Sequence, residues 1–319
     1  MQKGSMAGVL MRHVGAQLLR APRALTKAVG LATMLAVLVA SEVGGQIASG
    51  TVVYSSGQNV VPAYEGWEQN PDGTFNMVFG YFNRNLDEKL DIPIGPNNNV
   101  EPGGPDQGQP THFLPRRNRF LFRVKVPGDV GKKELVWTLT VRGKTEKAFG
   151  SLRPEYVLDD IIVMRDTGFF GQHGKERENK PPVVNIEGDA RRTVLVGQPL
   201  ALTAVATDDG IPAPRPTPLQ LPARYTAIGL RVAWFVYRGS GKAVTFVPEQ
   251  FKVYPDYRSN SPWTPGWSPP PVPADGKFPV TVTFSAPGTF VLRVMAHDGG
   301  LLSSQDVTVD VVSPAVSNR

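Results

Sequence analysis

The chain has no cysteine among its 319 residues. That excludes disulfides, thiolate ligation of a metal and lipid attachment through an N-terminal cysteine. Histidine is nearly as scarce. Besides His13, only His112, His173 and His297 occur, far apart and without an HExxH pair, so no transition-metal ligand set is visible. There is no G-x-S-x-G elbow. Both phosphate-loop look-alikes fail as well. RGKT (142–145) has Thr138 where the first glycine must stand, and GSGKA (239–243) lacks the hydroxyl residue after lysine.

Long apolar runs are missing too. The run AVGLATMLAVLVA (28–40) has 13 residues, short of the ~20 that a spanning helix needs. Lys3, Arg12, Arg20, Arg23 and Lys27 precede it with no acidic residue, and small residues follow in SEVGGQIASG. This is the pattern of a secretory signal peptide over residues 1–45, with an uncleaved N-terminal anchor as the alternative. The expected address is outside the cytoplasm, a bacterial periplasm or exterior. The same five residues account for most of the basicity. Without them the 34 Lys and Arg fall to 29 against 28 acidic residues, so there is no general electrostatic case for nucleic acid.

What the chain does have is period-two alternation between turns. Gly 33 and Pro 30 sit mostly between short apolar runs. In TFNMVFGYFN (74–83), Phe75, Met77, Phe79 and Tyr81 share a face. FLFRVKV (120–126) sets Phe120, Phe122, Val124 and Val126 against Arg123 and Lys125, and ELVWTLTV (134–141) repeats the device. PLALTAVATDDG (199–210), GLRVAWFVYR (229–238), FPVTVTF (278–284), TFVLRVMAH (289–297) and QDVTVDVV (305–312) continue it. The expected fold is all-β, two tandem antiparallel β-sandwich domains over 50–165 and 182–313 joined by a linker at 166–181. Trp137 and Trp234 are expected in the cores, and Tyr64 and Trp67 in core or edge cover. The connection at 91–118 is unusually long and is expected to be functional or mobile.

Residues 182–312 resemble PKD or cadherin-like members of the immunoglobulin-like group. The resemblance rests on the opening PPVVNI, AVATDDG, a mid-domain Trp234 and PGTFVLRVMAHDGGLLSSQDVTVDV. It implies a second sandwich of immunoglobulin type. Insertions at 211–228 and about 252–277 depart from the compact module, and residues 50–165 resemble no family.

Three groups are candidates for chemistry. Tyr254, Tyr257, Trp263 and Trp267 lie in the proline-stiffened stretch 253–276, where held rings could stack on a sugar or grip a protein. The duller reading makes them cover for a sheet edge or the domain junction. Arg116, Arg117 and Arg119 could grip an anion, or could be a solvated loop end. Asp208, Asp209 and Asp298 stand at strand ends beside glycines. Plain turn chemistry explains them, while the cadherin-like resemblance raises calcium, which wants six to eight oxygens. His297 shares a face with Arg293 and Met295 and is expected half-exposed at the surface. The sequence therefore favours an exported, non-catalytic binding module for carbohydrate or an extracellular protein. A secreted hydrolase with two carboxylates in a cleft and a structural spacer are the alternatives.

Overall fold

The structure is a computed structural model. It describes residues 53–129, 131, 133–167, 176–219, 226–314. The expected signal peptide over residues 1–45, with its apolar run 28–40, and His173 lie outside these residues. Among the described residues, no helix is long and apolar enough to cross a membrane.

The first sandwich sets a sheet of β1 (Val60–Gln69), β2 (Phe75–Asn83) and β6 (Arg116–Val126) against one of β4 (Asn98–Glu101), β7 (Leu135–Val141) and β8 (Lys144–Gly150). Its core is aromatic. The Phe79, Phe113 and Phe122 rings each pack on Trp137 with centroids within 6.3 Å, and Phe79 stacks on Phe122 at 5.4 Å. Trp137 is fully buried, and its indole N–H donates to Asn98 Oδ1 at 3.0 Å. The RGKT stretch is the β7–β8 hairpin, with both Arg142 and Gly143 at positive φ as a two-residue turn requires.

One residue leaves the expected alternation. Phe120 has φ 51, and β6 shifts register against β2 between Phe79 and Tyr81. The bulge turns Phe120 to the other face, where it meets Val78 and Leu158, while Leu121 and Phe122 both join the core. The sheet is therefore covered on its outer side as well.

Part of that cover is a helix, α1 (Asp160–Asp166), in a stretch whose Asp159 and Asp160 alternation would place on opposite faces of a strand. Asp159 instead caps it, accepting from Ile162 N at 2.8 Å. Its β-branched residues are poor helix formers, so packing decides. Val163 covers the Phe120 cluster and Met164 packs with Ile228 and Leu301 of the second sandwich.

The second sandwich has the immunoglobulin strand order. One sheet runs β9 (Val183–Ile186), β11 (Leu200–Thr207), β14 (Lys277–Phe284), β13 (Val244–Val247), which is A-B-E-D. The other runs β10 (Arg191–Leu195), β16 (Leu302–Val312), β15 (Gly288–His297), β12 (Arg231–Arg238), which is A′-G-F-C. The pairing is antiparallel except for β10 with β16, which is parallel. Trp234 is buried on the C strand, and Leu202, Val282, Phe284, Leu292 and Val309 fill the space between the sheets.

β12 is buried on both faces. Val232, Trp234 and Val236 point into their own sandwich, while Phe235 and Tyr237, with Met295 of β15, join the core of the first. The 91–118 connection supplies a clasp at this junction. It carries β3 (Leu90–Asp91), which pairs with β5 (His112–Phe113), as well as β4. Asp106 takes a forked bond from Arg238 at 2.7 and 3.1 Å, Gly108 O accepts from the Tyr237 hydroxyl, and Thr111 N donates to Tyr237 O. A side of β12 that would otherwise be an open edge is thereby covered.

Candidate functional site

Three segments meet over the Met295 and His297 end of β15 and Leu302 of β16, and leave a half-open cavity of about 250 Å³. The first is the bulged stretch of β6. Arg116 and Phe120 both hold positive φ, and Gly80 opposite must be glycine. A Cβ there would lie 2.1 Å from Glu65 Oε1 and 2.4 Å from Asn118 O. This geometry aims Arg117 and Arg119 at the rim, together with Leu121. The second segment is the end of α1, with Asp166 and Thr167. The third is the aromatic insertion, which contributes Val253, Pro255, Tyr257 and Trp263.

The insertion is held by charge. Asp256 is 1% exposed and bonds Lys252 at 2.9 Å and Arg258 at 2.7 Å, and Arg258 also reaches Asp87 at 2.7 Å. These partners hold the Asp256 carboxyl well below the usual range despite its burial. Behind Trp263, Pro262 O accepts from Ala227 N and Thr217 Oγ1. The two insertions, 211–228 and 252–277, thus dock on each other.

The four candidate rings do not form one platform. Tyr254 is 7% exposed and belongs to the junction core. Trp267 packs edge-on against Phe251 at 5.4 Å. Tyr257 and Trp263 remain together on the cavity wall, and Tyr257 is half exposed.

The arginines also divide. Arg116 lies over the Phe82 ring at 5.1 Å. Arg117 pairs with Glu65 at 2.7 Å and Arg119 pairs with Asp166. Glu65 is missed by sequence reasoning because nothing local marks it. Burial raises its pKa against the pull of Arg117, and its Oε1 has no donor. Asp166 is the one carboxylate lining the cavity among the described residues, and it is ion-paired. The pair of free carboxylates that the hydrolase alternative requires is not seen there.

His297 takes the face expected of it, but that face is the junction, and its ring lines the cavity. Gly299 N donates to its Nδ1 at 2.8 Å, and burial with Arg231 nearby holds its pKa well below normal.

The aspartates sit apart from the cavity lining. Asp209 accepts from Lys180 N and Ile211 N, and Asp208 Oδ2 accepts from Gly210 N. Asp298 is fully buried, and its Oδ1 accepts from Gly300 N at 2.6 Å and Leu301 N at 2.7 Å. These are turn bonds. They leave Asp208 Oδ1 and Asp298 Oδ2 buried without a donor, and the same is true of Asn179 Oδ1. Burial pushes Asp298 up to about 7 against the turn amides, with Asp208 adding to the rise. Among the described residues, no three His, Asp or Glu side chains group as metal ligands. Asn179 carried no signal in the sequence.

No family model matches the chain, and no curated protein matches it. Among solved structures it is similar to the fibronectin(III)-like modules of Clostridium thermocellum CbhA, at 12% identity over 82% of this chain and 98% of that one, TM-score 0.23. It is similar to the PKD domain of a peptidase from a Thermoplasmatales archaeon, at 15% identity over 42% and 97%, TM-score 0.22. It is also similar to a conjugative transposon lipoprotein from Bacteroides eggerthii, at 12% identity over 40% and 96%, TM-score 0.26. The immunoglobulin-like character of the second sandwich rests on its own strand order, A-B-E-D against A′-G-F-C.

Proposed function

We propose that the chain is an exported, non-catalytic binding module whose ligand enters the junction cavity. The observation that carries this reading is convergence. The arginine stretch of one sandwich and the aromatic insertion of the other, more than 130 residues apart, line one concave site. Concave, largely apolar sites with a few placed polar groups are where small ligands bind, and rings on a braced loop lose little entropy on contact. The leader composition supports export. A fragment and monosaccharide screen on the full chain tests the reading. Hits should weaken about tenfold in Tyr257→Ala/Trp263→Ala while the melting temperature holds. Hits that bind the double variant unchanged overturn it.

A second reading concerns calcium. Asp208 Oδ1, Asp298 Oδ2 and Asn179 Oδ1 are buried oxygens with no donor, the kind of ligand a hard cation takes. Backbone carbonyls and water would have to complete the shell. Calcium should raise the melting temperature of chelator-treated protein, and Asp298→Asn should abolish the rise. Equal melting with calcium and with chelator removes the reading.

A further inference from the structure

The walls of the junction cavity define the chemistry of its occupant, given the binding reading proposed above. Its two cations are already neutralised. Arg117 is paired with Glu65 and Arg119 with Asp166, so the rim carries two positive and two negative groups. An anion in the main cavity would lose water and meet no unpaired cation on its lining, and Arg231, in the smaller recess beside His297, is already bonded to Ala227 O and Thr226 Oγ1. Most of the remaining wall is apolar, with Leu121, Val253, Pro255, Met295 and Leu302 beside the Trp263 and Tyr257 rings. Methionine sulfur and aromatic rings both favour contact with another ring.

Asn118, Thr167 and Thr226 also line the cavity but bond within the protein, to Pro115 O, Gly300 O and Pro262 O, while His297 brings a polar atom of fixed character. The Gly299 N–H donates to His297 Nδ1 at 2.8 Å. An imidazole that accepts at Nδ1 carries its proton on Nε2, so it presents an N–H donor there. The ring borders both the main cavity and a smaller recess behind Trp263. The cavity of about 250 Å³ exceeds the roughly 150 Å³ in which an apolar protein cavity takes up benzene. It therefore has room for one ring and a short substituent.

We propose that the cavity binds a small uncharged aromatic compound bearing one hydrogen-bond acceptor, with the ring on the apolar wall and the acceptor on His297 Nε2–H. Three probes of nearly one shape separate the terms. Benzamide has ring and acceptor, benzoate adds a charge, and toluene lacks the acceptor. Calorimetric titration of the full chain should give saturable binding of benzamide. Benzoate should bind at least about tenfold more weakly, and toluene several-fold more weakly. Benzamide should also shift the His297 ¹⁵Nε2 resonance of the unmodified protein, a readout that needs no variant at this position. Trp263→Ala should weaken benzamide.

Benzoate binding as tightly as benzamide, toluene matching benzamide, an unmoved His297 resonance, or no binding of any probe each overturns the assignment. If benzoate wins yet still depends on Trp263, the assignment fails and the cavity reading stands. If the probes bind with no dependence on Trp263 and no shift at His297, both fail.

Discussion

The Arg293 guanidinium lies 3.5 Å from the centre of the Tyr237 ring. It bonds Asp306 at 2.6 and 2.8 Å on its own sheet, and the Leu121 carbonyl of the other sandwich. One buried cation thus joins both sandwiches. Arg293→Ala strands Asp306 and the Leu121 carbonyl and should cost about 3 kcal/mol. Arg293→Lys, which keeps the charge without the planar fork, should cost less. Urea unfolding followed by tryptophan fluorescence measures both, and a loss within about 0.5 kcal/mol for the alanine variant would deny the residue this role.

Gly241 and His112 face each other across the clasp, where a Cβ on Gly241 would come within 2.0 Å of the imidazole. Gly241→Ala should therefore destabilise by about 2 kcal/mol through overpacking. Adding His112→Ala should return part of that loss, because it removes the obstructing ring. The signature is a coupling of opposite sign to additive damage in a double-mutant cycle.

Tyr254 and Tyr257 are three residues apart and have opposite fates. Tyr254→Ala empties a junction position and should cost about 3 kcal/mol. Tyr257→Ala removes a half-exposed ring and should stay within about 0.5 kcal/mol. Thermal melts compare them directly, and equal losses would mean that the insertion is not seated as described.

The pH response follows from His297 and Asp298. Burial raises Asp298 to about 7, above the roughly 3.9 of an unfolded aspartate. Between those values the native state holds a proton that the unfolded chain releases, so this term weakens stability as pH climbs toward 7, by at most on the order of 4 kcal/mol. His297 is depressed, so its term weakens stability as pH falls below about 6.5. Around them, Asp208 is also raised by burial, and Arg231 is lowered to about 10 by burial against the pull of Asp298. In calcium-free buffer, Asp298→Asn should remove the loss toward pH 7 and expose the acid-side loss of His297. Parallel melting curves for wild type and variant from pH 5 to 8 would refute this.

Much of the fold was legible because alternation is local. Phe290, Leu292 and Val294 read as a core face and are one. Phe120 did not, because a bulge reverses its direction and no residue type announces a bulge. α1 was not expected either: its β-branched body is a poor helix former, and Asp159 caps it only once packing has set the turn. At the site, the arginines and rings stood out by composition. Glu65, Asn179 and the place of His297 did not, since each acquires its role from a distant neighbour.

The amino-acid pattern alone determined paired sheets and glycine- and proline-built corners, because these depend on neighbours one or two residues away. Tertiary structure alone decided that the second face of β12 and β15 is a junction and that Tyr257, Trp263 and His297 share a cavity. The face bearing Tyr237, Arg293, Met295 and His297 is mixed in polarity and reads locally like a solvent face. Its burial is set by the Leu121 strand, packed onto it from some 170 residues away in the chain.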